Sequence, residues 1–202
     1  MKKTLYSRRS NLIIAFHGCD KSVADKVVQG IEGLKKSSNT YDWLGNGVYF
    51  WENNEQRAKE FAEGLKKRGK IENPAVIGAV IDLGYCMDLT DSMYLQELKD
   101  AYNSMIYALE LSGSEIPKNE SGGSSIDLLK RNLDCAVIQY AHGINELSEG
   151  KSYDSVRGVF WEGNPLYENA GFKEKNHIQI CIRNLNCIKG YFLPRNFDDS
   201  CF

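Results

Sequence analysis

Two side chains in this sequence sit where they could clamp a flat ligand bearing a hydroxyl group: a histidine and a tyrosine. Phe16-His17-Gly18 closes one apolar run, and Trp43-Leu44-Gly45-Asn46-Gly47-Val48-Tyr49-Phe50 leads into another. Glycines let a backbone turn tightly and pass close to another group. The β-branched and aromatic residues that follow suit a strand. In that setting His17 can hydrogen-bond a hydroxyl, Gly18 presents bare N–H and C=O groups, and the Tyr49 ring can stack on an aromatic ring. Gln179 comes late, in Asn176-His177-Ile178-Gln179-Ile180-Cys181-Ile182-Arg183. Strand alternation puts Ile178, Ile180 and Ile182 on one face and turns Gln179 to the other. Its amide can hold a hydroxyl, but it supplies no full negative charge and takes no proton. Each feature also has a plainer reading. Gly-Asn-Gly suits a hairpin turn, His17 a hydrogen-bonded core histidine, and Gln179 a residue that satisfies backbone groups at a strand edge.

The elements that must position these residues can be read along the chain. Asn11–Phe16 is a buried strand delivering His17, followed by a helix over about 21–31 capped by Asp20. Residues 33–46 form a loop leading into the Tyr49 strand. Asn53 with Gln56 resembles a capping box for a helix over about 54–67, and Pro74–Leu83 reads as a central strand. Asp91 caps a longer helix reaching about Leu111. Ser112–Ser125 is rich in Gly and Ser and reads as a mobile surface loop. One or two helices follow over about 126–148, with Asp134 as a mid-segment cap. Val156–Trp161 is a strand, 164–175 a loop, and strands close the chain over 178–182 and 188–193. The pattern is mixed α+β, with strands at both ends and helices inserted between them.

Composition sets the outer bounds. A chain of 202 residues with 42% hydrophobic and 26% charged residues suits one soluble domain covering 1–202. A net charge of −2 gives no bulk attraction to nucleic acid. The basic clusters at Lys2-Lys3 with Arg8-Arg9 and at Lys66-Lys67-Arg68 with Lys70 read as solvated surface. Six cysteines without a CxxC pair, and only three histidines, argue against a zinc site. Cys135 and Cys181 lie in apolar runs that suit buried, reduced thiols. No stretch approaches the roughly 20 apolar residues needed to span a bilayer. The expectation is a cytoplasmic protein with no membrane partner and no metal.

His17-Gly18 followed by Gly45-Asn46-Gly47-Val48-Tyr49-Phe50 resembles the His-Gly and Gly-x-Gly-[Ile/Val]-Tyr-Phe motifs of ADP-ribosyltransferases of the diphtheria-toxin and poly(ADP-ribose)-polymerase type. The resemblance spans roughly residues 11–194. It implies two small packed β-sheets with flanking and inserted helices, and NAD in the cleft between the sheets. It also implies chemistry: the nicotinamide–ribose bond of NAD breaks and ADP-ribose passes to an acceptor, protein or nucleic acid. On this resemblance His17 would hold a ribose hydroxyl of the adenosine half. Gly18 would pair with the nicotinamide carboxamide, and Tyr49 would stack on the nicotinamide ring.

Gln179 stands where that family commonly places a catalytic Glu. Polymer elongation is therefore in doubt, and a mono-ADP-ribosyltransferase is the expectation. An NAD glycohydrolase and a non-catalytic NAD- or ADP-ribose-binding module are the rivals. A second stacking Tyr of the family is replaced by Glu60. Phe61 beside it could cover the nicotinamide's other face or pack in the core. The loop Trp161–Phe172 occupies the place that faces the acceptor in the resembling enzymes. Its Trp161, Tyr167 and Phe172 read either as a contact surface or as core anchors, and Glu162 or Glu168 could provide the carboxylate that Gln179 lacks. The small size fits a toxin, effector or defence protein.

Overall fold

The computed structural model describes residues 12–122 and 127–195. The basic residues at 2–3 and 8–9, residues 123–125 of the Gly/Ser stretch, and Cys201 lie outside them. In chain order the elements are β1 (Ile13–Asp20), α1 (Lys21–Val28), β2 (Val48–Glu52), α2 (Glu55–Lys67), β3 (Pro74–Ile81) and β4 (Cys86–Asp88). They continue with α3 (Ser92–Ser112), β5 (Asn119–Glu120), β6 (Lys130–Arg131), α4 (Asn132–Glu149), β7 (Ser155–Phe160), β8 (His177–Ile182) and β9 (Ile188–Phe192). The fold is mixed α+β, as expected.

The described chain divides into two compact units, one made of 35–49 with 83–187, the other of 12–34, 50–82 and 188–195. The chain passes from the first to the second between Tyr49 and Phe50, inside β2.

In the second unit β1 is the organising strand. It pairs antiparallel with β3 along its whole length, Ile13 opposite Ile81 through Asp20 opposite Pro74. Its other edge takes the end of β2, with Phe16 opposite Trp51, and β9 lines the far edge of β3. Helix α2 presents Ala58 and Ala62, both fully buried and one turn apart. Small residues let a helix sit close on a strand. Gly18 completes the fit, because a Cβ there would stand 2.1 Å from the Ala58 carbonyl oxygen. The capping residue of α2 is Asn54, whose side chain accepts the Arg57 amide. Asn53, the expected cap, instead takes a left-handed φ of 48° as the chain leaves β2.

In the first unit β4 runs parallel to β7, with Asp88 opposite Arg157, and β7 pairs antiparallel with β8. Helices α3 and α4 supply Tyr94, Ala101, Met105, Val137, Ile138 and Ala141 to a core that also takes Leu44, Met87, Tyr153, Val156 and Cys181. Two expectations change here. Within the expected loop 112–125, Asn119–Glu120 forms a short strand paired with β6. And α4 is one helix starting at Asn132, so Asp134 lies in its first turn and is no mid-segment cap. The cap comes from β5, where the Asn119 side-chain Oδ1 accepts the Leu133 and Asp134 amides at 2.9 and 3.2 Å.

The same core holds a histidine that the sequence gives no reason to place there. His142 on α4 is 2% exposed, and neither ring nitrogen makes a hydrogen bond. Its ring meets Tyr153 edge-on at 5.7 Å. Burial, reinforced by the Arg183 charge, pushes its pKa down to about 3. The unfolded chain therefore binds a proton between about pH 6.5 and 3 that the folded chain refuses. The stability His142 allows is complete above pH 6.5 and is lost as pH falls toward 3. At pH 5 the loss is about 2 kcal/mol. His142→Phe should flatten urea-determined stability between pH 7 and 5; an unchanged slope would show that His142 is solvated when protonated.

Candidate functional site

His17 lies in β1, opposite Ile77 of β3. It is half-buried, and its ring sits 5.7 Å from that of Phe50. Gly18 next to it is buried under α2. The absence of a side chain at 18 is thus explained by helix packing alone. Phe61 of α2 is partly exposed, with its ring 5.0 Å from Trp51. Glu60, at the position of the family's second stacking Tyr, is ion-paired with Arg57 at 2.7 Å. These residues all belong to the second unit.

Tyr49, Gln179 and the Trp161–Phe172 loop belong to the first unit. The glycines before Tyr49 have steric reasons of their own. Gly45 adopts a left-handed φ of 77°, and a Cβ at Gly47 would lie 2.5 Å from Cys181 Sγ. Tyr49 then closes the turn it follows. Its hydroxyl accepts the Leu44 amide at 2.8 Å and donates to the Gly45 carbonyl at 2.6 Å. The ring packs against the apolar core of this unit. Burial pushes the Tyr49 pKa well above its ordinary value, so the hydroxyl stays protonated and keeps donating. This structural role of the phenol was not visible in the motif.

Gln179 sits in the middle of β8, opposite Gly158 of β7. It is half-buried, and its side-chain amide makes no hydrogen bond among the described residues. Its neighbours on the same strand face are committed. Cys181 is fully buried, with its thiol donating to the Gly45 carbonyl at 3.5 Å and its pKa raised to about 12 by burial. His177 is buried, stacks on Trp43 at 6.3 Å and contacts the Lys175 carbonyl oxygen through Nδ1 at 2.6 Å.

Beyond β7, the Arg131 guanidinium lies 4.3 Å over the Trp43 ring and 4.9 Å over Phe160. Trp43 in turn donates its indole N–H to the Leu129 carbonyl. Trp43, Phe160, His177 and Arg131 thus form a stack that sequence reasoning passed over. The signal was present in Trp43 itself, at the head of the Gly-Asn-Gly motif.

The loop between β7 and β8 is ordered by polar contacts at its base. Asp127 accepts the Gly163 amide at 2.7 Å and the Lys173 ammonium at 2.9 Å, which lowers its pKa. Glu174 accepts the Asn164 amide at 3.0 Å. Glu162 is half-buried, pairs with Lys175 at 3.6 Å, and accepts the Lys175 amide through its backbone carbonyl at 3.0 Å. Trp161, Tyr167 and Phe172 are exposed, so they are not core anchors. Glu168 is exposed as well.

A separate open cleft of about 540 Å³ in the first unit is bordered by Asn39, Thr40, Asn46, Asn132 and Gln139. Most of these amides are already engaged, as in Thr40 donating to Asn132 and Arg183 donating to Gln139.

Among the described residues no group of three or more His, Cys, Asp and Glu side chains could hold a metal ion. The five described cysteines are free thiols, and Cys135 and Cys181 are buried as expected. No helix among the described residues is long and apolar enough to cross a membrane. No family model, no curated protein and no solved structure matches the chain.

Proposed function

We propose that the chain is an NAD-dependent mono-ADP-ribosyltransferase, with the ADP-ribosyltransferase-like pair of small sheets as its finer architecture. The reading rests on the His17-Gly18 and Gly45–Phe50 motifs. The observation that carries it furthest is Gln179. Gln179 is half-buried in the middle of a strand, and its amide, which makes no hydrogen bond among the described residues, is open to a ligand hydroxyl. A ribose hydroxyl is the partner the motifs imply.

Breaking the nicotinamide–ribose bond leaves positive charge on the ribose carbon. An enzyme lowers that barrier by fixing the ribose and the leaving group in a reactive pose and by aiming dipoles at the growing charge. In this reading the Gln179 carbonyl dipole orients and stabilises the ribose, His17 holds the adenosine ribose, and the Gly18 backbone holds the carboxamide. Tyr49, half-buried, would meet the nicotinamide with the part of its ring that the core leaves open, while its hydroxyl keeps the preceding turn in place. The Gln179 amide cannot act as a base, so the acceptor must bring its own nucleophile or be activated by a loop carboxylate such as Glu168.

Incubation of the full chain with NAD tests this. Nicotinamide release accompanied by covalent ADP-ribose on a macromolecule is the expected result. Release without transfer would make the protein a glycohydrolase, and calorimetric binding without release would make it a binding module. Absence of NAD binding would overturn the assignment.

A further inference from the structure

We propose that the hairpin between β7 and β8 docks a protein surface carrying apolar and basic side chains, and not a nucleic acid; its role as acceptor site rests on the ADP-ribosyltransferase reading. The hairpin is held shut at its base, as described, and again near its tip. There Pro165 bridges Lys173, and the Leu166 amide donates to the Phe172 carbonyl at 3.1 Å. A final turn closes the tip, with the Ala170 amide on the Tyr167 carbonyl and Asn169 at a left-handed φ of 58°.

Three large apolar side chains crown this scaffold, with Leu166, Tyr167 and Phe172 exposed by 57, 63 and 61%. Leaving them in water has no benefit for folding, whereas a rigid display of aromatic groups lowers the ordering cost of binding a partner.

Charge then selects the partner. Both lysines of the hairpin are engaged, Lys173 with Asp127 and Lys175 with Glu162. Glu168 and Glu174 remain as exposed carboxylates with no ion pair among the described residues. Aromatic side chains alone could stack on bases. Nucleic-acid binding, however, draws its affinity from cations that neutralise phosphates, and here the free charge is negative. Lysine or arginine on a protein, beside an apolar patch, satisfies both features.

The test titrates the full chain with purified core histones, as a basic protein probe, and in parallel with a single-stranded DNA 20-mer, following tryptophan emission. Saturable histone binding that weakens roughly tenfold or more in Leu166→Ser/Phe172→Ser is expected, as is similar weakening in Glu168→Lys. Both variants should melt at the wild-type temperature. DNA binding abolished by the same variants, histone binding that the variants leave intact, or no histone binding would each overturn the proposal. Nicotinamide release by the unmodified chain, measured without any acceptor, reports separately on the parent reading.

Discussion

Gln179→Ala should slow nicotinamide release by about a hundred- to a thousandfold while changing NAD affinity little. The magnitude follows from removing one positioned dipole that acts mainly in the transition state, about 2.7–4 kcal/mol in comparable deletions. The split between rate and affinity identifies such a contact, because a group used equally in ground and transition states would raise KM instead. The fold should tolerate the change, since the amide makes no hydrogen bond among the described residues. Gln179→Glu adds a negative charge that stabilises a cationic ribose, and it should raise NAD hydrolysis. Unchanged release by a folded Gln179→Ala protein would move the chemistry to Glu162 or Glu168. Those two are already distinguishable, because Glu162 is paired with Lys175 and Glu168 is exposed.

Most strands were legible because each is a dense apolar run. Those read at Asn11–Phe16, Pro74–Leu83, 178–182 and 188–193 have counterparts in β1, β3, β8 and β9. What escaped depends on partners far away in sequence. β4 is three residues long and exists only because β7, some 70 residues later, offers it a parallel edge. The α4 cap is supplied by Asn119 across a loop, so no pattern next to the helix could reveal it. Asn53 and Asn54 are chemically equal candidates for capping α2, and only the turn out of β2 decides between them.

At the site the same rule holds. The order of His17, Tyr49 and Gln179 was readable, but the buried Tyr49 hydroxyl was not. Nor was the exposure of Tyr167 and Phe172, which depends on Asp127 in an unremarkable stretch of sequence reaching Gly163 and Lys173.

Asp88→Ala should cost the protein about 3–5 kcal/mol, the usual cost of stripping a buried ion pair of one partner. Asp88 and Arg157 face each other across the parallel β4–β7 ladder, with Arg157 Nη1 at 3.2 and 3.4 Å from the two carboxylate oxygens. The arginine side chain is 5% exposed and the aspartate 14%. Burial alone would raise the Asp88 pKa, but the Thr90 hydroxyl and amide and the Arg157 guanidinium outweigh it and hold the carboxyl below its ordinary range. The contribution of Asp88 is therefore complete above the unfolded carboxylate pKa, near pH 4, and fades as pH falls through the lower folded value.

Truncating Asp88 takes its carboxylate away from the buried guanidinium, which keeps its 3.3 Å contact to the Thr90 hydroxyl. The melting temperature should drop by about 2–4 °C for each kcal/mol lost. Arg157→Met should be milder, because Asp88 keeps both Thr90 bonds. The double variant should recover much of the loss, since an apolar pair of similar volume often replaces a buried ion pair without penalty. Urea denaturation of the four proteins completes the cycle. A cost below about 1 kcal/mol for Asp88→Ala, the level of an exposed pair, would mean that water or another acceptor reaches Arg157 once the carboxylate is gone.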